Sequence, residues 1–160
     1  MKKSVIIILA VIAVIVIWAV SMYNGLVAMD EKVNGQWANV ETQYQRRADL
    51  IPNLVNTVKG YATHEKETLE GVVEARSQAT QMKVDAADLT PEKLAQYQKA
   101  QGAVTSALGK LLAITENYPD LKANQNFLEL QAQLEGTENR INVARKNFNL
   151  SLIHISEPTR

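Results

Sequence analysis

The chain has 160 residues, 17 of them basic and 17 acidic, and 46% are hydrophobic. That length suits one domain with an appendage. The lack of cysteine excludes a disulfide framework, a lipobox lipoprotein, a thiolate zinc site and a cysteine nucleophile, and zero net charge without a basic run argues against nucleic acid as a partner.

The first element is apolar. Val5 to Val20 carries no polar side chain, and extension to Tyr23 admits only Ser21. Those nineteen residues would make about 28 Å of helix, close to the ~30 Å hydrocarbon core of a bilayer. Trp18 and Tyr23 sit near the far end, where aromatic rings favour the interface. Lys2 and Lys3 precede the run and Asp30 and Glu31 follow it, so the positive-inside bias places the N-terminus in the cytoplasm and the rest outside. A cleaved signal peptide is the rival. Its apolar region is shorter, and Ala19-Val20-Ser21 is a mediocre cleavage site. The expectation is a retained anchor over residues 1–29, crossing the bilayer of the bacterial cytoplasmic membrane through residues 5–23 as a single-pass span.

Residues 30–149 form the expected soluble domain. They are rich in Gln and Asn and poor in β-branched runs, a composition that suits helix. Four apolar stripes follow seven-residue spacing. The first is Val33, Trp37, Val40, Tyr44. The second runs from Ile51 through Leu54, Val55, Val58 and Tyr61 to Leu69, Val72, Val73, Arg76 and Ala79. The third is Leu94, Tyr97, Gln101, Val104, Leu108, Leu111, Thr115, Tyr118. The fourth is Phe127, Leu130, Leu134, Thr137, Ile141, Ala144, Phe148. Such repeats suit shallow left-handed packing. The expected fold is all-α: a transmembrane helix followed by an antiparallel up-and-down four-helix bundle with coiled-coil-like packing. Its long helices cover about 30–48, 51–84, 91–117 and 120–149.

The breaks support these limits. Thr90-Pro91-Glu92 is a helix start, with Thr at the N-cap, Pro at N1 and an acid in the first turn. Pro119 disfavours helix at Tyr118 and separates the third helix from the fourth. The first break is softer. Asp49 can cap a helix that has Pro52 in its first turn, or one helix can run through and kink at Pro52. The favoured reading is the turn.

The last eleven residues, Leu150 to Arg160, break the pattern. They match, residue for residue, the translation of a common transposon-type sequencing-library adapter. Residues 150–160 are therefore expected to be a non-native tail, with the natural fourth helix cut near Asn149.

Longer motifs carry a family resemblance. Arg46-Arg47-Ala48-Asp49-Leu50-Ile51-Pro52-Asn53-Leu54-Val55, then Val58-Lys59-Gly60-Tyr61-Ala62-Thr63-His64-Glu65, resembles the hallmark segment of the LemA family. Asn117-Tyr118-Pro119-Asp120-Leu121-Lys122-Ala123-Asn124, followed by Gln133-Leu134-Glu135-Gly136-Thr137-Glu138-Asn139-Arg140-Ile141, resembles its second signature. The resemblance implies a bacterial membrane-anchored helical bundle. It brings no agreed catalytic residues to carry over.

Chemistry is sparse. His64-Glu65-x-Glu67 lacks the second histidine of a zinc helix, and neither histidine has a glutamate three residues before it, as a di-iron helix requires. No serine lies in a Gly-x-Ser-x-Gly elbow, and no glycine-rich loop could cradle phosphate. No cofactor, metal or catalytic residue is expected. Arg46-Arg47-x-Asp49 is the cluster of most interest. Two guanidiniums at a turn could grip a partner's carboxylate, or they could neutralise one helix end while Asp49 caps the next. Glu135, Glu138, Asn139 and Arg140 could pair with these arginines across the bundle. Gln101 and Thr115, at core positions, could form a polar layer. The expected role is a noncatalytic adaptor or scaffold for another envelope protein, docking through Arg46, Arg47 and Asp49. The alternative is an accessory or hydrolase-type enzyme with an unrecognised carboxylate site.

Overall fold

The structure, a computed structural model, describes residues 2–156. The fold is all-α, with no strand among the described residues. Helix α1 spans Lys2–Lys59, α2 Lys66–Gln81, α3 Pro91–Thr115, α4 Pro119–Lys122 and α5 Gln125–Ser156, with a 3-10 turn at Ala86–Asp88.

Helix α1 is 58 residues long, roughly 87 Å at the usual rise. Its two halves meet different surroundings. Large apolar residues from Ile6 to Val27 are exposed, and this stretch is long and apolar enough to cross a membrane. From Val33 onward the same helix enters the bundle. Its orientation across a membrane was expected from Lys2 and Lys3, whose side chains lie outside the described residues.

Helix α5 lies antiparallel along the lower half of α1. Phe148 meets Trp37, and Glu138 meets Arg47. Helix α2 also returns antiparallel: Arg76 reaches Ala48, and Val84 beyond its end reaches Trp37. Helix α3 runs with α1, placing Tyr97 beside Trp37 and Tyr44 and setting Gln101 and Thr105 on Arg47.

Two apolar clusters form the core. Ile51, Leu54, Val58, Val72, Leu111 and Phe127 belong to the one farther from the apolar half of α1. Trp37, Val40, Tyr44, Tyr97, Ile141 and Phe148 belong to the nearer one. Each fully buried Leu or Ile contributes about 1.5–3 kcal/mol by leaving water. The third and fourth stripes match the buried faces closely, and even Gln101, Thr115 and Thr137 are buried. In the second stripe Tyr61 and Val73 face solvent, and Ala62 is buried instead.

The expected turn at Asp49 does not form. Helix α1 continues through Pro52 to Lys59, and the chain turns at residues 60–65, so Ile51 to Val58 belong to α1 and α2 begins at Lys66. The physical reason is a replaced hydrogen bond. Pro52 has no N–H for the carbonyl four residues earlier. That carbonyl, on Ala48, accepts from Arg76 Nε at 2.6 Å instead. A side chain from α2 thus supplies the missing donor, and the helix need not break.

Other boundaries shift as well: α2 ends at Gln81 rather than 84, and α3 at Thr115 rather than 117. Thr90 caps α3 as expected, accepting from the Lys93 N–H at 3.3 Å. The fourth long helix starts at Gln125 rather than 120, because Asn124 Oδ1 accepts from the Phe127 N–H at 3.0 Å and caps it there. Residues 119–122 form the separate turn of α4. Helix α5 continues past Asn149 through Ser156, with Ser151 buried and Leu150, Leu152 and Ile153 exposed. Residues 157–160 of the adapter-like tail lie outside the described residues.

Candidate functional site

The most concentrated polar chemistry lies between the two apolar clusters. Arg47 points inward from α1 and is only 1% exposed. Its Nη1 donates to Glu138 Oε1 and to Thr105 Oγ1, each at 2.7 Å. Its Nη2 donates to the Gln101 carbonyl at 2.9 Å and to Gln101 Oε1 at 2.7 Å. The guanidinium also stands 5.1 Å from the Tyr44 ring centre. A buried charge demands a counter-charge and filled hydrogen-bond positions. Arg47 has both, drawn from α3 and α5.

The expected docking trio is therefore divided. Arg47 is enclosed by the bundle, whereas Arg46 and Asp49 remain exposed. Asp49 caps nothing, since no helix starts there; it accepts from Gln45 Nε2 at 2.8 Å along the surface of α1. Of the α5 residues named beside the arginines, Glu138 is the one that pairs with Arg47. His64 sits exposed in the turn before α2, and its neighbour Glu65 instead accepts from Tyr118 Oη at 3.0 Å. That bond to a carboxylate raises the Tyr118 pKa, with desolvation adding to it.

Arg46 and Asp49 border a cleft of about 810 Å³ between α1, α2 and α3. Arg47 and Tyr97 lie at its floor. Arg76 and Lys83 line it from the α2 side, and Glu41 and Asp85 line it nearer Trp37. Burial, then the nearby charge of Asp85, raises the Glu41 pKa. Burial also raises the hydroxyls of Tyr44 and Tyr97. Sequence reasoning missed Arg76, Glu41 and Asp85 as cleft residues. The available signal was Arg76 itself, a charged residue at a core position of the second stripe.

Among the described residues, no group of three or more His, Asp or Glu is placed to hold a metal ion.

The family model for the LemA family matches residues 36–154. The chain belongs to the LemA family. The match takes in the Arg47 layer and every residue that lines the cleft. Curated relatives agree. Magnetosome protein MamQ of Magnetospirillum gryphiswaldense is 27% identical over 81% of the chain and 54% of its own length. Protein LemA of Metamycoplasma hominis is 26% identical over 79% of the chain and 54% of its own length. Magnetosome protein MamQ 2 of Paramagnetospirillum magneticum is 27% identical, over 79% and 53%. The chain thus spans about half the length of the curated relatives it matches. This LemA-family membership and the exposed apolar half of α1 fit association with a membrane.

Proposed function

We propose that this LemA-family chain is a single-pass protein of the bacterial cytoplasmic membrane, with its N-terminus inside and its bundle outside. It crosses the bilayer through residues 5–23 and acts as a noncatalytic adaptor or scaffold for another envelope protein. The observation that carries this reading is the continuity of α1. One unbroken helix contains both the apolar stretch and the first helix of the bundle. A bundle joined to its anchor without a flexible linker presents a fixed face at a fixed height, which suits a scaffold. The face in question carries Arg46 and Asp49, held on a helix that Arg47 ties to α3 and α5 from behind.

The test is crosslinking in intact membranes. One envelope protein recovered in near-stoichiometric yield, and lost in Arg46→Ala and Asp49→Ala, supports docking at this face. Failure to recover any partner overturns the adaptor role. A protease site inserted in the turn at residues 60–65 reports orientation: cleavage from outside spheroplasts supports an outward bundle, and protection there refutes it.

One observation favours a second reading, a hydrolase-type or accessory enzyme. Glu41 and Asp85 share the cleft, and Glu41 has a raised pKa, which are the attributes of a carboxylate acid–base pair. Hydrolysis of a model ester or glycoside that disappears in both Glu41→Gln and Asp85→Asn would favour it over the scaffold.

A further inference from the structure

Two arginines in this bundle are shielded from solvent, Arg47 fully and Arg76 in part, and they are treated differently. Arg47 has a carboxylate, a hydroxyl and two acceptors of Gln101 around its terminal nitrogens. Arg76 is half-buried, and its one side-chain hydrogen bond among the described residues runs from Nε to the Ala48 carbonyl. No carboxylate of the described residues lies within ion-pair distance of it. A guanidinium partly withdrawn from water and left without a counter-charge loses hydration that no ion pair replaces. Its Nε bond restrains the plane of the group, and Arg76 is one of the residues that line the cleft. Such a fixed planar fork matches a carboxylate bidentately.

The surroundings narrow the ligand. Arg46 lines the cleft from α1 at the same level, one turn or less from Ala48. Lys83 adds a third cation, and Glu41, Asp49 and Asp85 add three carboxylates. Arg47 is already answered by Glu138. The cleft is thus balanced in formal charge. Any anion entering it meets three carboxylates, and the repulsion scales with its charge, so a singly charged carboxylate is opposed less than a phosphate dianion.

We propose that the cleft between α1, α2 and α3 binds a carboxylate group, with Arg76 as its bidentate anchor and Arg46 as its second cation. The carboxylate comes either from a small free acid or from an acidic side chain of a protein segment. The inference stands apart from the adaptor role, since a small acid could bind to a protein that docks to nothing.

The test uses the full chain, 15N-labelled and held in detergent micelles, with the arginine Nε–Hε signals followed by NMR. Three probes are titrated separately: glutarate, the capped peptide acetyl-Ser-Glu-Ser-Glu-Ser-amide, and inorganic phosphate. The expected result is a saturable shift of the Arg76 signal with glutarate or the peptide. Arg76→Lys, which keeps the charge but loses the fork, should weaken binding about tenfold or more. Arg46→Gln, at an exposed position with no side-chain partner among the described residues, should weaken it several-fold. Arg140→Gln, outside the cleft, should leave it unchanged. Saturation by glutarate identifies a free acid as sufficient, and saturation by the peptide alone assigns the site to a protein carboxylate. No saturable shift with either carboxylate overturns the proposal. So does binding undiminished in Arg46→Gln and Arg76→Lys, or phosphate binding tighter than both carboxylates.

Discussion

Arg76 Nε lies 2.6 Å from the carbonyl oxygen of Ala48, the acceptor that Pro52 cannot serve. In an ordinary helix that oxygen would accept the N–H of residue 52. Proline removes the donor, and an unpaired buried carbonyl costs free energy. The α2 side chain supplies a charged donor in its place. Helix α1 therefore stays whole where its sequence invites a break, and α2 is pinned to it at a set height.

This relationship predicts a coupling. Arg76→Met should destabilise the bundle by about 1.5–3 kcal/mol, the range for a hydrogen bond to a charged group. Pro52→Ala returns the backbone donor to Ala48, so the same Arg76 change should cost less in that background. Urea unfolding of the four proteins of the cycle should give a coupling of about 1–2 kcal/mol. Additive effects would show that Arg76 does not replace the missing N–H.

Arg47 should be costly to remove. Arg47→Met leaves Glu138 and Gln101 without their donor, and breaking a buried pair costs about 3–5 kcal/mol. Glu138 is 33% exposed, so water relieves part of this and the lower end of that range is expected. Adding Glu138→Gln should recover some of the loss. A double variant less stable than Arg47→Met alone would contradict the account.

Trp37 closes the end of the core nearer the apolar half of α1. Its Nε1 donates to the Val84 carbonyl at 2.9 Å, and its ring meets Tyr97 at 5.3 Å and Phe148 at 5.2 Å between centroids. Trp37→Phe should cost about 1–2 kcal/mol through the lost bond and the unpaired carbonyl. Trp37→Ala should cost about 3–5 kcal/mol by adding a cavity. Thermal unfolding followed by circular dichroism checks the order of the two.

Glu41 gives a pH dependence of known sign. Its pKa is raised in the folded state by burial and by Asp85, so folding favours its protonated form. That contribution is complete below the unfolded pKa and is lost as pH rises through the raised folded value. At neutral pH the ionised group is a small burden. Glu41→Gln should match or slightly exceed the parent's melting temperature at pH 7, and the gain should vanish below about pH 4, under the usual carboxylate range. A variant less stable at pH 7 than at pH 4, relative to the parent, would reverse the sign.

The continuity of α1 is measurable directly. The chain has no cysteine, so spin labels attach only where cysteines are introduced. Labels at Leu26 and Lys59 are separated by a run of helix that should measure about 50 Å at the standard rise. One narrow distance near that value is expected by pulsed electron resonance in micelles. A much shorter distance would restore the turn at Asp49.

Much was legible from residue order alone. The uninterrupted apolar run marked the stretch of α1 that is long and apolar enough to cross a membrane, because no polar face exists there to meet water. The buried faces of α3 and α5 followed from seven-residue spacing, down to Gln101 and Thr137, since periodicity records which side of a helix meets its neighbours. Thr90 and Pro91 marked the start of α3 because capping is local chemistry. The LemA-family motifs were local as well, and the matching family model covers them. The pairing of Arg47 with Glu138 was among the readings, but other features decided at a distance were missed. Asp49 and Pro52 look like a helix start until a donor arrives from residue 76, and no local rule supplies it. Arg46 and Arg47 are neighbours of one type in the sequence. Their places on a helix face send one outward to the cleft and the other inward to Gln101, Thr105 and Glu138. Only tertiary packing brings three helices to one guanidinium and leaves another without a counter-charge, because the partners of a buried charge are chosen in space.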